Sequence, residues 1–384
     1  MKVVCLMSMA SPQSRDIALQ IAESGNELHV VDAWNLGSQN YVSVGDAYQL
    51  GGLRVLEGVT KSLHRVPYRG IRGGFSLLRR LGRILRHINP DVLLTIHGGT
   101  FALAAYASGF RPYVVYVGGS DVLFGGFGKR SLSRMALTGA EMVFANGRHL
   151  AQKTEELAPR ARVTALYMGT DTVKFRPGER VAAPISIVCT RGFLPIYNNE
   201  LLIRALKHLP EDLPAYEVTF AAAGPELEKA RALADEILPA AQRERVKFLG
   251  GASRETLAEL LSKAHIYVSV SLSDGTSLSL MEAMACGAFP VLSDIPANRE
   301  WVEPTEKNGL LVSCDDEAGL AEALAKAMQD EALRAAAGTK NRQLILERAD
   351  LRANMQKVVQ ELVGCVKEHR KLAGALRSSR LPLE

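Results

Sequence analysis

Short apolar runs of strand length recur along the chain, separated by amphipathic stretches of helix length. In the first half, Val3–Met7, Glu27–Asp32, Val92–Ile96, Tyr113–Val117, Met142–Ala145 and Val163–Tyr167 read as strands, with helices at Arg15–Ser24 and Phe101–Ala107. Residues Phe175–Pro184 are polar, proline-bearing and without period, which predicts an interdomain linker. Beyond it the alternation restarts: strands at Ile185–Cys189, Glu217–Ala222, Val246–Leu249, Ile266–Ser271 and Phe289–Leu292 alternate with helices at Asn199–Lys207, Glu226–Ile237, Arg254–Ala264 and Ser277–Cys286. From about Asp316 the pattern is helical to the end, with Leu320, Leu324, Ala327 and Met328 on one face. Repeated strand–helix units predict parallel sheets covered by helices on both faces. Two such sets joined by a linker give two doubly wound α/β domains, with a site expected in the cleft between them at the carboxyl ends of the strands.

Composition narrows the class. The chain has 384 residues, 47% hydrophobic and 23% charged, which fits two globular domains and excludes a fibrous or disordered protein. Cys5, Cys189, Cys286, Cys314 and Cys365 are odd in number and lack Cys-x-x-Cys spacing, so reduced thiols of a cytoplasmic protein are expected. No signal peptide is read at the start. Residues Val92–Phe110 carry no Asp, Glu, Lys or Arg, but Gly98-Gly99 interrupts them, so a strand, a turn and a short helix explain them better than a membrane span.

Charge is uneven. Residues 1–172 carry 19 Lys and Arg against 12 Asp and Glu, within a chain of net charge +5. The excess comes from one stretch between Gly58 and Pro90 that includes Arg72, Arg79, Arg80, Arg83 and Arg86 and no acidic residue. Leu77, Leu78, Leu81, Ile84 and Leu85 repeat at helical spacing there, so Ser76–His87 reads as an amphipathic helix with a cationic face. A solvated face and an anionic-membrane docking face both fit; docking is preferred because each basic residue near such a surface contributes about 1 kcal/mol. Nucleic acid is not expected as a partner, since no aromatic residues interleave the charge.

The most chemically informative segment is Ser271–Gly287. It leaves a strand, turns at Asp274-Gly275, and enters a helix through Thr276, Ser277 and Leu278. Open amides of a first helical turn, with the helix dipole behind them, suit a phosphate or diphosphate. Glu282 falls on an apolar face of that helix, where a carboxylate must be paired or hydrogen-bonded; sugar hydroxyls, an arginine or backbone amides would each serve.

Asp274 and Glu282, followed by Ala283-Met284-Ala285, Gly287, Pro290 and Val291, resemble the signature of glycosyltransferase family 4, a group with the GT-B fold. Gly169–Pro177, Thr190-Arg191-Gly192-Phe193, Ala223-Gly224-Pro225, Phe248-Leu249-Gly250 and Asn308–Val312 are similar to other family segments, in family order. The resemblance implies two Rossmann-like domains, residues 1–174 for the acceptor and 185–360 for the nucleotide sugar, facing each other across a cleft. A helical tail, 361–384, is expected to pack back on the first. It further implies a retaining, metal-independent transfer that needs no cofactor and is favoured to use a UDP-sugar. A lipid-linked glycan or polysaccharide precursor at the inner face of the cell membrane is the expected acceptor. Arg191 would hold the diphosphate, with the Thr276, Ser277 and Leu278 amides and Gly275 around the distal phosphate. Glu282 would take the ribose hydroxyls, Asp274 the transferred sugar, and Gly250 and Gly251 would flank the base.

The chain also departs from the family. Asp274 stands where a Glu is usual, and Pro195–Asn198 occupies the ground of a second diphosphate cation, leaving Asn198 or Tyr197 as a partial substitute. Gly118-Gly119-Ser120-Asp121 replaces His-Gly-x-Asp, and Ser8–Pro12 replaces a glycine pair. His97, Asp121 and Ser11 are the candidate acceptor contacts. A degenerate binding or scaffold protein, or a transferase with a soluble acceptor, is the alternative.

Overall fold

The computed structural model describes residues 1–9, 11–35, 56, 58–68, 70–123, 127–303, 305 and 307–378. Two compact units emerge: Met1–Met168 with Arg352–Glu384, and Gly169–Leu351. The chain therefore enters the second unit ahead of Lys174 and re-enters the first at Arg352.

The first unit holds a seven-stranded sheet of β1 (Lys2–Met7), β2 (Glu27–Asn35), β3 (Ser62–Tyr68), β4 (Val92–Ile96), β5 (Tyr113–Val117), β6 (Met142–Ala145) and β7 (Val163–Ala165). All pair in parallel, in the order β3-β2-β1-β4-β5-β6-β7. Register runs Val3↔Leu28 on one side of β1 and Val3↔Val92 on the other. β4 and β5 are buried along their whole length, because helices cover both faces. The uncharged stretch after Val92 forms β4, a turn and the helix Thr100–Ala107. Among the described residues, no helix is long and apolar enough to cross a membrane. The long final helix, Leu351–Ser378, is held to this unit through Asn354 to the Tyr167 carbonyl, Arg162–Glu368 and Arg370–Asp91. Residues 379–384 of the expected tail lie outside the described residues.

The second unit is built on β8 (Ile185–Cys189), β9 (Tyr216–Phe220), β10 (Val246–Phe248), β11 (Ile266–Ser269), β12 (Phe289–Ser293) and β13 (Leu310–Val312), parallel in the order β10-β9-β8-β11-β12-β13. The expected linker Phe175–Pro184 packs within this unit. Phe175 is wholly buried, the Gly178 amide donates to the Ser262 carbonyl, and Arg180 donates to the Cys286 carbonyl. An aromatic and an arginine that find partners on one body turn polar, proline-bearing chain into part of its wall.

Both sheets have the same doubly wound order, reversing beside β1/β4 in the first unit and beside β8/β11 in the second. At such a reversal the connections leave in opposite directions and open a crevice at the carboxyl ends of the strands, the usual ligand position in this architecture. His97 follows β4, Arg191 follows β8 and Asp274 follows β11.

The cationic helix spans Gly70–Ile88, longer than its periodicity suggested. Leu77, Leu81, Leu85 and Ile88 are buried under it; Arg79, Arg80, Arg83, Arg86 and Phe75 stand exposed. The Arg72 side chain lies outside the described residues.

Candidate functional site

In the second unit the site assembles on the segment after β11 and the loop after β8. Asp274 opens the segment, its Oδ1 accepting from the Gly275 amide at 2.8 Å. Ser277 caps the helix Leu278–Ala285, its hydroxyl accepting the Leu280 amide at 3.3 Å. That cap leaves the Leu278 and Ser279 amides of the first turn without a hydrogen-bond partner among the described residues. Gly275, Thr276 and Ser277 are buried and small, so the turn passes close to whatever occupies the crevice.

Arg191 knits these parts together. Its Nη2 lies 2.7 Å from Asp274 Oδ2, and its Nη1 donates to Ser277 Oγ at 2.8 Å and to Ser279 Oγ at 3.5 Å. The guanidinium carbon stands 4.0 Å from the centroid of the Tyr197 ring, in cation–π contact. The side chain is only 9% exposed, and its Nε is buried without a hydrogen-bond partner. The loop that carries it is fixed by Asn199, whose amide donates to the Arg191 and Gly192 carbonyls at 3.1 Å. An arginine so clamped is a preorganised cation at a helix N-terminus, with one donor unspent.

Glu282 lies in the same helix and is buried, with Oε1 at 3.1 Å from Nη2 of Arg254. Of the three partners that sequence left open, an arginine is present. Arg254 opens the helix Arg254–Lys263 behind the cap of Ser253, and its guanidinium lies 5.3 Å from the Phe175 ring centroid. Sequence reasoning missed Arg254 and Ser279; the requirement for a partner at Glu282 was the only signal pointing to the former.

The remaining donor-side candidates fall at the same edge of the sheet. Gly250 follows β10 with φ +72°, a left-handed backbone favoured by glycine, and a Cβ at Gly251 would lie 3.7 Å from Ala223 after β9. Asn198 is engaged elsewhere: its side-chain amide donates to the Cys314 carbonyl at 2.9 Å and its backbone is left-handed. Tyr197, stacked on Arg191, is the residue of that loop that meets the expected diphosphate cation.

In the first unit, β4 is followed directly by His97, whose φ of 133° is rare for a residue with a side chain. The ring is positioned by Asp121: His97 Nδ1 is 3.2 Å from Asp121 Oδ2. That carboxylate is 1% exposed and also accepts the amides of Gly98, Gly118 (3.2 Å) and Gly119 (2.8 Å). Burial alone would raise the Asp121 pKa; the charge and hydrogen bond of His97 and the backbone amides outweigh it and hold the carboxyl at about 2. The Asp121 charge in turn raises His97 above its ordinary value, against its own desolvation. His97 and Asp121 line a cavity of about 330 Å³ together with Tyr68, Phe101, Lys129 and Ser133. Ser11 is not part of that cavity; its hydroxyl caps the helix Pro12–Glu23 by accepting the Ser14 amide at 3.3 Å.

Among the described residues, no three His, Cys, Asp or Glu side chains come together as a metal site would require.

Comparison with known proteins bears on the second unit first. Residues 174–344 match the family model of glycosyl transferases group 1. A D-inositol 3-phosphate glycosyltransferase of Mycobacteroides abscessus is 29% identical over 161 residues, 40% of this chain and 36% of the relative, so the match spans little more than a third of that protein. A GDP-mannose-dependent alpha-(1-6)-phosphatidylinositol monomannoside mannosyltransferase of Mycolicibacterium smegmatis is 23% identical over 369 residues, 85% of this chain and 95% of the relative. Among solved structures, Anabaena HepE in complex with UDP and glucose superposes with a TM-score of 0.75 at 17% identity, over 95% of this chain and all of that one. At that identity the likeness speaks for the fold.

Proposed function

We propose, from the match of residues 174–344 to the glycosyl transferases group 1 model, that the protein moves a sugar, with retention, from a UDP-sugar to a lipid-linked glycan or polysaccharide precursor at an anionic membrane face. The observation that carries the reading is the clamp of Arg191 on Asp274 and Ser277 at an open helix N-terminus, inside the family segment.

A leaving nucleoside diphosphate gathers negative charge as the glycosidic bond breaks. A fixed guanidinium and the open amides of Leu278 and Ser279 stabilise that charge without having to reorganise, which is the property that makes such groups effective in catalysis. On donor binding the diphosphate shares Arg191 with Asp274, using the Nε that has no protein acceptor. Asp274 is then released in part toward the transferred sugar. Glu282, oriented by Arg254, takes the ribose hydroxyls. The acceptor is assigned to the first unit, at the cavity of His97 and Asp121. The exposed face of Arg79, Arg80, Arg83 and Arg86, none of which has an ion-pair partner among the described residues, together with the exposed Phe75, brings that unit to anionic lipid in an inner-membrane setting.

HepE, solved with UDP and glucose, supports a uridine donor. The phosphatidylinositol monomannoside mannosyltransferase, which matches over most of its length, makes GDP-mannose the second donor to test. Thermal shift of the pure protein against UDP-, GDP-, ADP- and dTDP-sugars decides between them. A ligand at 100 times its dissociation constant stabilises by about 2.7 kcal/mol. No shift with any donor would favour a binding or scaffold role over transfer.

A further inference from the structure

The cavity of the first unit has a charge character that an ordinary sugar pocket does not need. Asp121 is spent: both its oxygens are taken by three backbone amides and His97. His97, by contrast, is half-exposed, and its other ring nitrogen has no hydrogen-bond partner among the described residues. It is held there at a φ of 133°, a backbone conformation that a residue with a side chain adopts only where the surroundings enforce it. Lys129, on the neighbouring helix Phe127–Thr138, lines the same cavity and is exposed, with no acidic partner among the described residues. The helix Thr100–Ala107 begins at the cavity wall after Gly99 with no side-chain cap and no acidic residue in its first turn, so it adds partial positive charge rather than cancelling it. Ser133 supplies a hydroxyl, while Phe101 and Leu132 give the cavity an apolar side.

We propose that this cavity binds a phosphate ester, gripped between His97 and Lys129, and that the acceptor is therefore a phosphorylated molecule rather than a neutral sugar. The assignment rests on the reading of the first unit as the acceptor side. The volume, about 330 Å³, lies at the lower end of the range of small-ligand clefts, enough for a phosphate and the group esterified to it. His97 with its charge raised by Asp121 donates to one phosphate oxygen, Lys129 meets another, and Phe101 and Leu132 take the apolar side of the ester. A free phosphomonoester and a phospholipid headgroup share this chemistry, and the test separates them.

The experiment follows the ring signals of His97 by NMR in full-length protein with isotope-labelled histidine, titrated with inorganic phosphate and then with dihexanoyl phosphatidic acid, a soluble phospholipid. Saturable movement of the His97 signal is expected with both probes. Lys129→Gln should weaken binding about tenfold or more, as the loss of a charged hydrogen bond implies, whereas Lys129→Arg retains most of it. Binding should also fade as pH rises through the His97 pKa. Tighter binding of the phospholipid assigns the site to a headgroup; equal binding assigns it to a bare phosphate ester. Absence of saturation, or a Lys129→Gln protein that binds phosphate as the parent does, overturns the proposal. Lys129 is a surface residue, so its substitution leaves folding intact. Nucleotide-sugar thermal shifts on the same samples separate the two claims. Phosphate binding without any donor shift leaves the anion site standing and removes the transferase reading, and a donor shift without phosphate binding does the reverse.

Discussion

Replacing Asp121 by Asn tests whether one buried carboxylate organises the crevice of the first unit. The substitution keeps size and removes charge. Oδ1 accepts from Gly118 and Gly119, and Oδ2 from Gly98 and His97. An Asn side chain offers one acceptor and one donor, so either orientation turns an NH2 against amide donors on one side. With its folded-state pKa held down at about 2 by His97 and the backbone amides, below the ordinary value of about 3.9 of the unfolded chain, the Asp121 carboxylate contributes on the order of 2–3 kcal/mol at neutral pH. For a unit of this size each kcal/mol moves Tm by about 2–4 °C, so Asp121→Asn should melt roughly 5–10 °C lower.

The pH dependence has a definite sign. Because the folded Asp121 pKa is depressed, its contribution is complete above the unfolded value and disappears as pH falls through about 2. Because the folded His97 pKa is raised, its share is complete below about 6.5, its ordinary unfolded value, and is lost as pH rises through the folded value. The difference in Tm between parent and variant should therefore peak between about pH 4 and pH 6.5 and shrink on either side. Differential scanning fluorimetry across that range reads it directly. A difference of only a degree or so near pH 6, or one that stays flat with pH, would refute the account of Asp121 as the charged hub of this crevice.

Further outcomes follow from the second unit and the basic helix. Glu282→Ala should abolish nucleotide-sugar binding in a thermal-shift assay, while Arg254→Met, which removes the 3.1 Å ion-pair partner of a buried carboxylate, should destabilise by about 1–3 kcal/mol in urea titration as well. Ser277→Ala should cost about 0.5–2 kcal/mol through the lost cap and weaken donor binding beyond that, since Arg191 loses its 2.8 Å anchor; calorimetry with the identified donor separates the two effects. Changing Arg79, Arg80 and Arg83 together to Gln should lower partitioning onto anionic vesicles by about 3 kcal/mol, on the order of a hundredfold. Unchanged co-sedimentation would remove the membrane claim.

Much of the architecture was legible because its strands are buried on both faces and therefore read as unbroken apolar runs. β4 and β5 are the clearest cases. β3 was not legible: Ser-Leu-His-Arg-Val-Pro-Tyr lies at the sheet edge with only Val66 deeply buried, so nothing in its pattern separates it from the basic segment that follows. The segment from Asp274 to Glu282 announced itself through local chemistry, a turn and small residues before a helix. Which groups would meet there was not readable. Arg191 with Asp274, Glu282 with Arg254 and His97 with Asp121 are pairs set by the order of strands in the sheet, and strand order is a long-range property. Asn198 and Ser11 illustrate the converse, polar residues near a strand end that are consumed by the backbone around them.

The path of the chain has a practical consequence. Leaving the first unit at Met168 and returning at Arg352, it makes the second unit an insertion into the first. The two ends of that insertion lie side by side, joined by the parallel bridge of Thr170 with Asp350 and by the Leu351 amide on the Thr170 carbonyl at 3.0 Å. Residues 169–351 can thus be cut out as one continuous piece whose termini are already stapled together. The reverse excision fails as a simple truncation: residues 1–168 alone would forfeit the final helix and, with it, the partners of Arg162, Asp91 and Tyr167. For anyone dissecting this protein, residues 169–351 form one continuous module, whereas the other unit is assembled from two separate stretches of sequence.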